Sequence, residues 1–230
     1  MDPPVIGVGR NADVFALDER RVLRRYRDGG DVAAEAAVMT YLADHQFPVP
    51  IVYAAEGSDL VMERLDGPTM LQALVEGVLA VDAAARVLAD LHRRLHQVPP
   101  QHGGDGSILH LDLHPDNVML SARGPVVIDW RNQAEGPADL DVALTAVILA
   151  QVAADASHDW ASLAADLLTS FLGYAGGDPA RMVDRAVDMR RTDSALTVEE
   201  VGLLAQAAAI IRACLRRPVD DFDRLPGSIR

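Results

Sequence analysis

Aromatic side chains make up only 4% of the 230 residues, although half of the chain is hydrophobic. A core drawn from this composition rests mainly on Ala, Leu and Val. Cysteine is reduced to Cys214 alone, which excludes an internal disulfide and suits a reducing cytoplasm. Its apolar helical surroundings point to packing rather than reactivity. No uninterrupted apolar run approaches the ~20 residues that span a bilayer. The opening Met1-Asp2-Pro3-Pro4 has neither a basic n-region nor an apolar h-region, so export by a standard signal is not expected. Positive charge is also scarce: 21 basic residues face 34 acidic ones, for a net charge of −13. That balance argues against sequence-independent nucleic-acid binding, which relies on Lys and Arg at phosphates. An acidic surface tolerates or attracts cationic partners. No internal repeat or low-complexity tract occurs, and the length allows one large domain or two small lobes.

The first part of the chain reads as β-rich. Val5–Val8 and Asp13–Leu17 flank a glycine-bearing turn, and Arg21–Tyr26 has the look of a third strand. Asp28-Gly29-Gly30 breaks the chain, Asp31 is placed to cap a helix, and 32–44 follows at helical spacing until Pro48 and Pro50 end it. Ile51–Ala55 and Leu60–Met62 are short enough for two more strands, joined by Glu56-Gly57-Ser58-Asp59. Beyond Gly67-Pro68 the period changes. Helices are expected over 69–76, 82–98, 139–154, 160–174, 179–191 and 198–216, with Gly176-Gly177 as a stop before the restart at Pro179. Residues 99–117 read as loop, and a β hairpin is expected near 118–128. This is an α+β plan in two lobes: a small β-rich one with one helix over 1–65, and a larger, mainly helical one over 66–230.

The most informative stretch is His110-Leu111-Asp112-Leu113-His114-Pro115-Asp116-Asn117, followed by Val126-Val127-Ile128 and Asp129. Phosphoryl transfer from a nucleotide needs one carboxylate to orient the attacking hydroxyl and two oxygen-bearing side chains to hold Mg²⁺ on the phosphates. Asp112 can accept the hydroxyl proton. Asn117 offers an amide oxygen to a hard cation, and Asp129 offers a carboxylate at the end of a β-like run. Each residue alone reads equally as part of a polar turn; the spacing of the set carries the functional reading.

This stretch resembles the catalytic segment of the aminoglycoside phosphotransferase family, whose members share the protein-kinase-like fold and show a His-Gly-Asp-Leu-His-Pro-x-Asn loop followed by Ile-Asp-Trp/Phe. Here the corresponding residues are His110–Asn117 and Ile128-Asp129-Trp130. Leu111 stands at the usual Gly, a change of loop packing rather than of chemistry. The resemblance implies Asp112 as catalytic base and Asn117 and Asp129 as Mg²⁺ ligands. His110 and His114 fit roles in organising the loop or near substrate, or purely structural ones. Asp141 matches an Asp that supports the catalytic loop in this family, and equally suits stabilising its own helix. The resemblance carries interpretable motifs over about 5–150.

Three further features follow from the same likeness. Gly7-Val8-Gly9-Arg10-Asn11-Ala12 resembles a kinase glycine-rich loop, with Gly7, Gly9 and Asn11 near phosphate, or else is an ordinary hairpin turn. A kinase carries a Lys on the third strand, paired with a Glu on the next helix. No Lys occurs in this stretch, and strand alternation with the family pattern favours Arg24 and Glu35, although Arg is not a neutral replacement for Lys. Met62, Glu63 and Arg64 resemble the segment whose backbone reads the adenine edge, with Ile6, Val14, Met119 and Ile128 as apolar lining or plain core. The implied activity is an ATP- and Mg²⁺-dependent transfer of the γ-phosphate to a hydroxyl of a small molecule in the cytoplasm, a cationic acceptor being compatible with the acidic charge, with no nucleic-acid or membrane partner. The alternative is a nucleotide-binding sensor with little catalytic activity. The gap from Asp129 to the helix near 139 is too short for the activation segment of a protein kinase. Asp155, Asp159, Asp166, Glu199 and Glu200 in the helical tail read as wet helix faces or as contacts for a cationic acceptor.

Overall fold

The computed structural model describes residues 3–9, 11–27, 29–194 and 196–216. Arg10 of the glycine loop, Asp28 of the chain break and Met1 and Asp2 lie outside the described residues. Five antiparallel strands form one sheet: β1 (Val5–Val8), β2 (Ala12–Ala16), β3 (Arg21–Tyr26), β4 (Val52–Glu56) and β5 (Asp59–Glu63), in the order β1-β2-β3-β5-β4. The β4–β5 turn closes tightly because Gly57 takes a φ of +56° without a Cβ clash. Helix α1 (Ala33–Asp44) packs beside the sheet with Val38, Met39 and Leu42 buried. Its start differs from the sequence expectation: Val32 holds the cap position, while Asp31 Oδ1 accepts from Ala33 N at 2.8 Å from one residue further out.

The chain leaves the sheet through 64–68. Gly67, at φ +123°, passes so close to the second lobe that a Cβ there would lie 2.2 Å from Leu120 O. A capping box between Thr69 and Gln72 then starts α2 (Met70–Val75), and α3 (Val81–His96) buries Ala85, Leu88 and Leu95 along one side. Hairpin strands β7 (Val118–Ser121) and β8 (Gly124–Val127) stand where expected. Two expectations need correction. Ser107–Leu109 is a strand, β6, paired with β9 (Ala134–Gly136), inside what the sequence gives as loop. Three-residue strands are too short to show alternation. The expected helix over 198–216 is two helices, α7 (Val198–Gly202) and α8 (Leu204–Leu215), broken at Leu203.

The remaining helices are α4 (Ala138–Ala154), α5 (Ala161–Tyr174) and α6 (Val183–Arg191). Almost every residue of α4 is buried, because α5, α6 and α8 pack around it. A helix apolar on all sides is a central one, and α4 serves as the post on which the loop after β6 is mounted.

Candidate active site

The loop between β6 and β7 is fixed from inside. Leu113 is fully buried, a burial that contributes roughly 1.5–3 kcal/mol, and its carbonyl accepts from Thr145 Oγ1 on α4 at 2.7 Å. Asp141, also on α4 and fully buried, accepts from His110 N (3.1 Å), Leu111 N (2.7 Å) and His96 Nε2 (3.0 Å). Its carboxylate therefore supports the loop, the first of its two sequence readings. Burial opposes its charge, but the His96 hydrogen bond and the neighbouring His92, His96 and His110 hold its pKa at about 2.

His110 organises the loop. Its Nδ1 accepts from Asp112 N at 3.2 Å, so its Nε2 carries the proton and donates to Ile128 O at 3.0 Å. The ring stands edge-on to buried Trp130. Burial pushes its pKa down, in keeping with a neutral ring. Leu111 sits at φ +63°. The position that holds Gly in related loops is therefore one of left-handed backbone, and Leu occupies it under strain.

The three residues of the central motif meet here. Asn117 Nδ2 donates to Asp112 O at 2.8 Å and lies 3.3 Å from Asp112 Oδ2. The Asn117 amide oxygen takes no part in these bonds. Ile128 N donates to Asn117 O at 3.0 Å, which brings Asp129 alongside. Asp129 has φ +67°, which a short polar residue tolerates better than a bulky one. Burial raises the Asp112 pKa to about 6, against the pull of His110 and Arg190. His114 Nε2 is 3.7 Å from Asp112 Oδ1. The donor set suits Mg²⁺: two hard oxygen ligands match an ion shared with phosphate oxygens. Among the described residues, no three His, Cys, Asp or Glu side chains form a metal cage by themselves.

Arg24 reaches this motif from β3. Its Nη1 lies 3.3 Å from Glu35 Oε1 on α1, and its Nη2 lies 2.5 Å from Asp129 Oδ1. Tyr26 OH donates to the other Glu35 oxygen at 2.8 Å. Burial works against the Arg24 charge, yet Asp129 and Glu35 outweigh it and raise the pKa. Burial pushes Glu35 up, opposed by Arg24 and the Tyr26 hydroxyl. The basic residue at this position cannot be supplied by lysine elsewhere, since all 21 basic residues of the chain are Arg.

Gly7 pairs with Val14, and Val14 with Arg24, so the three form one rung across β1, β2 and β3. The loop above it is tight: Gly9 N donates to Ala12 O at 2.8 Å, and Arg27 donates to Gly9 O at 2.8 Å and, from its backbone, to Asn11 O. Val14, Met119 and Ile128 are half-buried and Ile6 is exposed. In the connecting segment, Glu63 N is committed to Ile51 O and Arg64 N to Arg20 O. The Glu63 carboxylate bonds Arg123 at 2.8 Å and Ile51 N, tying β5 to the β7–β8 turn. Met62 is half-buried at the end of β5.

Sequence reasoning missed the contributions of the distant helices. Arg190 of α6 approaches Asp112, and Gln151 of α4 holds Arg190; helical periodicity does not tell which turn faces a remote loop. Two tail acids have local tasks instead: Asp155 bonds Ser157, and Glu200 forms a capping box with Thr197.

The fold is shared with known proteins. The structure of aminoglycoside phosphotransferase APH(2'')-IIa solved with streptomycin and ATP superposes with a TM-score of 0.57 at 14% identity, over 92% of this chain and 93% of that one. A choline/ethanolamine kinase family protein from Mesorhizobium loti gives 0.56 at 14% identity, over 95% and 89%. The fold is thus the two-lobed protein-kinase-like one. A stretch of 111 residues, 45% of the chain, is 34% identical to calcium-dependent protein kinase 9 of Oryza sativa subsp. japonica, of which it spans only 18%. The model of the phosphotransferase enzyme family, APH, matches residues 4–106 and 100–183. That match takes in the glycine loop, Arg24, Glu35 and the whole of the Asp112, Asn117 and Asp129 motif, and the chain belongs to the phosphotransferase enzyme family.

Proposed function

We propose that this protein transfers the γ-phosphate of ATP, with Mg²⁺, to a hydroxyl group of a small molecule. The observation that carries the reading is the junction of Asp112, Asn117 and Asp129, bridged by the Asn117 amide and the bond from Ile128 N to Asn117 O. Residues 1–65 form the nucleotide-binding lobe and 66–230 the catalytic and acceptor-binding lobe. Asn117 and Asp129 would hold Mg²⁺, and the ion would supply charge neutralisation for the phosphates. Arg24, steadied by Glu35, binds the triphosphate beneath the loop of Gly7, Gly9 and Asn11. With the N–H groups of Glu63 and Arg64 spoken for, the adenine edge is read by the Glu63 carbonyl and the N–H of Leu65. Asp112 orients the acceptor hydroxyl and takes its proton. Alignment and charge neutralisation lower the barrier, and no covalent intermediate with the protein is needed.

The reading places the enzyme in the cytoplasm; among the described residues no helix is long and apolar enough to cross a membrane. Titration calorimetry with ATP, with and without Mg²⁺, tests the nucleotide half. ADP release over a panel of aminoglycosides, choline-like alcohols and other hydroxylated metabolites tests the transfer half. Mg²⁺-dependent ATP binding and turnover with at least one alcohol are expected. Binding without turnover on the whole panel would favour a nucleotide sensor, and absence of binding would remove both.

A further inference from the structure

Arg190 belongs to none of the motifs above and lies beyond residue 183, where the family match ends. It stands in the last turn of α6, with a side chain only 15% exposed. Three contacts fix its guanidinium. Nε donates to Gln151 Oε1 at 3.3 Å, Nη1 donates to Asp193 Oδ2 at 2.9 Å, and the same Nη1 stands 4.0 Å from Asp112 Oδ1. Gln151 is itself buried and anchored, its Nε2 donating to Glu200 O at 2.7 Å. Both carboxylates thus lie on the Nη1 side. The Nη2 donors have no partner among the described residues. The Gln151 anchor and the Asp193 pair hold Nε and Nη1 with Nη1 facing Asp112, and Nη2 is the one nitrogen left over.

We propose that Arg190 is a catalytic residue whose Nη2 edge hydrogen-bonds the non-bridging oxygens of the phosphoryl group in transfer. The inference rests on the reading of Asp112 as base. As the acceptor oxygen bonds to the γ-phosphorus, the bond from that phosphorus to the β,γ-bridging oxygen breaks and ADP leaves with its electron pair. The hydroxyl proton passes to the Asp112 carboxylate. Negative charge is then spread over the three equatorial oxygens, where a fixed guanidinium is most effective. Arg24 meets the triphosphate from β3, and Arg190 meets the moving group from the opposite lobe. In a chain without lysine both contacts are made by guanidinium groups, whose charge is fixed and whose remaining N–H donors hydrogen-bond phosphate oxygens.

The test compares binding of Mg·ADP with binding of Mg·ADP plus aluminium fluoride, a mimic of the phosphoryl group in flight, by calorimetry. Arg190→Gln should leave the affinity for Mg·ADP unchanged and lose on the order of 100-fold of the extra affinity that aluminium fluoride confers. Arg190→Lys should recover part of it. Free guanidinium ion should restore ATP hydrolysis to Arg190→Ala, which a merely structural role would not allow. Full aluminium fluoride affinity in Arg190→Gln overturns the proposal. If that variant also loses Mg·ADP, Gln151→Leu, which removes the Nε anchor together with the bond to Glu200 O, should keep Mg·ADP affinity and lose roughly tenfold of the aluminium fluoride gain; no loss of that gain overturns the proposal too. Failure of the underlying reading looks different: the wild-type protein would bind no Mg·ADP, or Asp112→Asn would keep full hydrolysis.

Discussion

Leu111 occupies left-handed backbone at φ +63°, a conformation that costs a residue with a Cβ about 1–2 kcal/mol. Replacing it by Ala and by Gly removes the same partly buried side chain, so the difference between the two variants isolates the backbone. Glycine's larger unfolded-state entropy offsets about 0.4–1 kcal/mol of the gain. Leu111→Gly should therefore be more stable than Leu111→Ala by roughly 0.5–1 kcal/mol in urea unfolding, the reverse of their usual order. Equal stability, or a more stable Ala variant, would show that the loop relaxes. The departure from Gly was visible in the sequence; the strain was not, because it depends on Asp141 pinning Leu111 N from another element. Arg24 sets a second residue-level test. Removing it in Arg24→Met strands buried Glu35 and should cost about 3–5 kcal/mol, whereas Arg24→Met with Glu35→Leu should recover much of that loss. A double variant no more stable than the single one would mean that the pair is not coupled.

At the scale of elements, the loop that carries Asp112 is a rider on α3 and α4. His96 at the end of α3 and Asp141 near the start of α4 meet at 3.0 Å, and Asp141 then holds two loop amides. The Asp141 pKa of about 2 lies below the ordinary value of 3.8. A carboxyl group depressed on folding contributes stability that is present above its unfolded pKa and lost as pH falls through the folded one. The window is therefore from about pH 4 down to about pH 2, and the contribution is on the order of 2 kcal/mol. Unfolding free energy followed across that window should fall less steeply in Asp141→Asn than in the wild type; identical slopes would show that Asp141 titrates normally. The sequence left Asp141 between two roles because helix position alone suits both. Packing of α3 against the loop decided it, and His96 had no local signal at all.

At the scale of the whole molecule, the contiguous parts of the site could be read from sequence, and the assembled parts could not. Asp112, Asn117 and Asp129 lie within a short span whose spacing is set by one loop and one hairpin. Arg24 and Glu35 came from strand alternation taken together with the family resemblance, which alone named a Glu on the next helix as partner. The sheet, the helix order and the two-lobed plan came from periodicity and turn residues. The β6–β9 pairing, the break at Leu203, the approach of Arg190 to Asp112 and its bond to Gln151 depend on long-range packing that no local pattern encodes. The chain has no lysine, so any Lys or Arg contact to phosphate is made by Arg. Arginine-directed modification by phenylglyoxal should abolish ATP binding and be slowed by ATP, while acylation directed at lysine side chains should leave it intact; protection by ATP that fails to appear would place the nucleotide away from Arg24. The central claim is that Asp112 receives the proton of the acceptor. Its most direct test is paired measurement on Asp112→Asn: Mg·ATP affinity by calorimetry and phosphoryl transfer by ADP release with an acceptor the wild type accepts. Affinity close to that of the wild type with transfer abolished is the result expected, and transfer at the wild-type rate would contradict it.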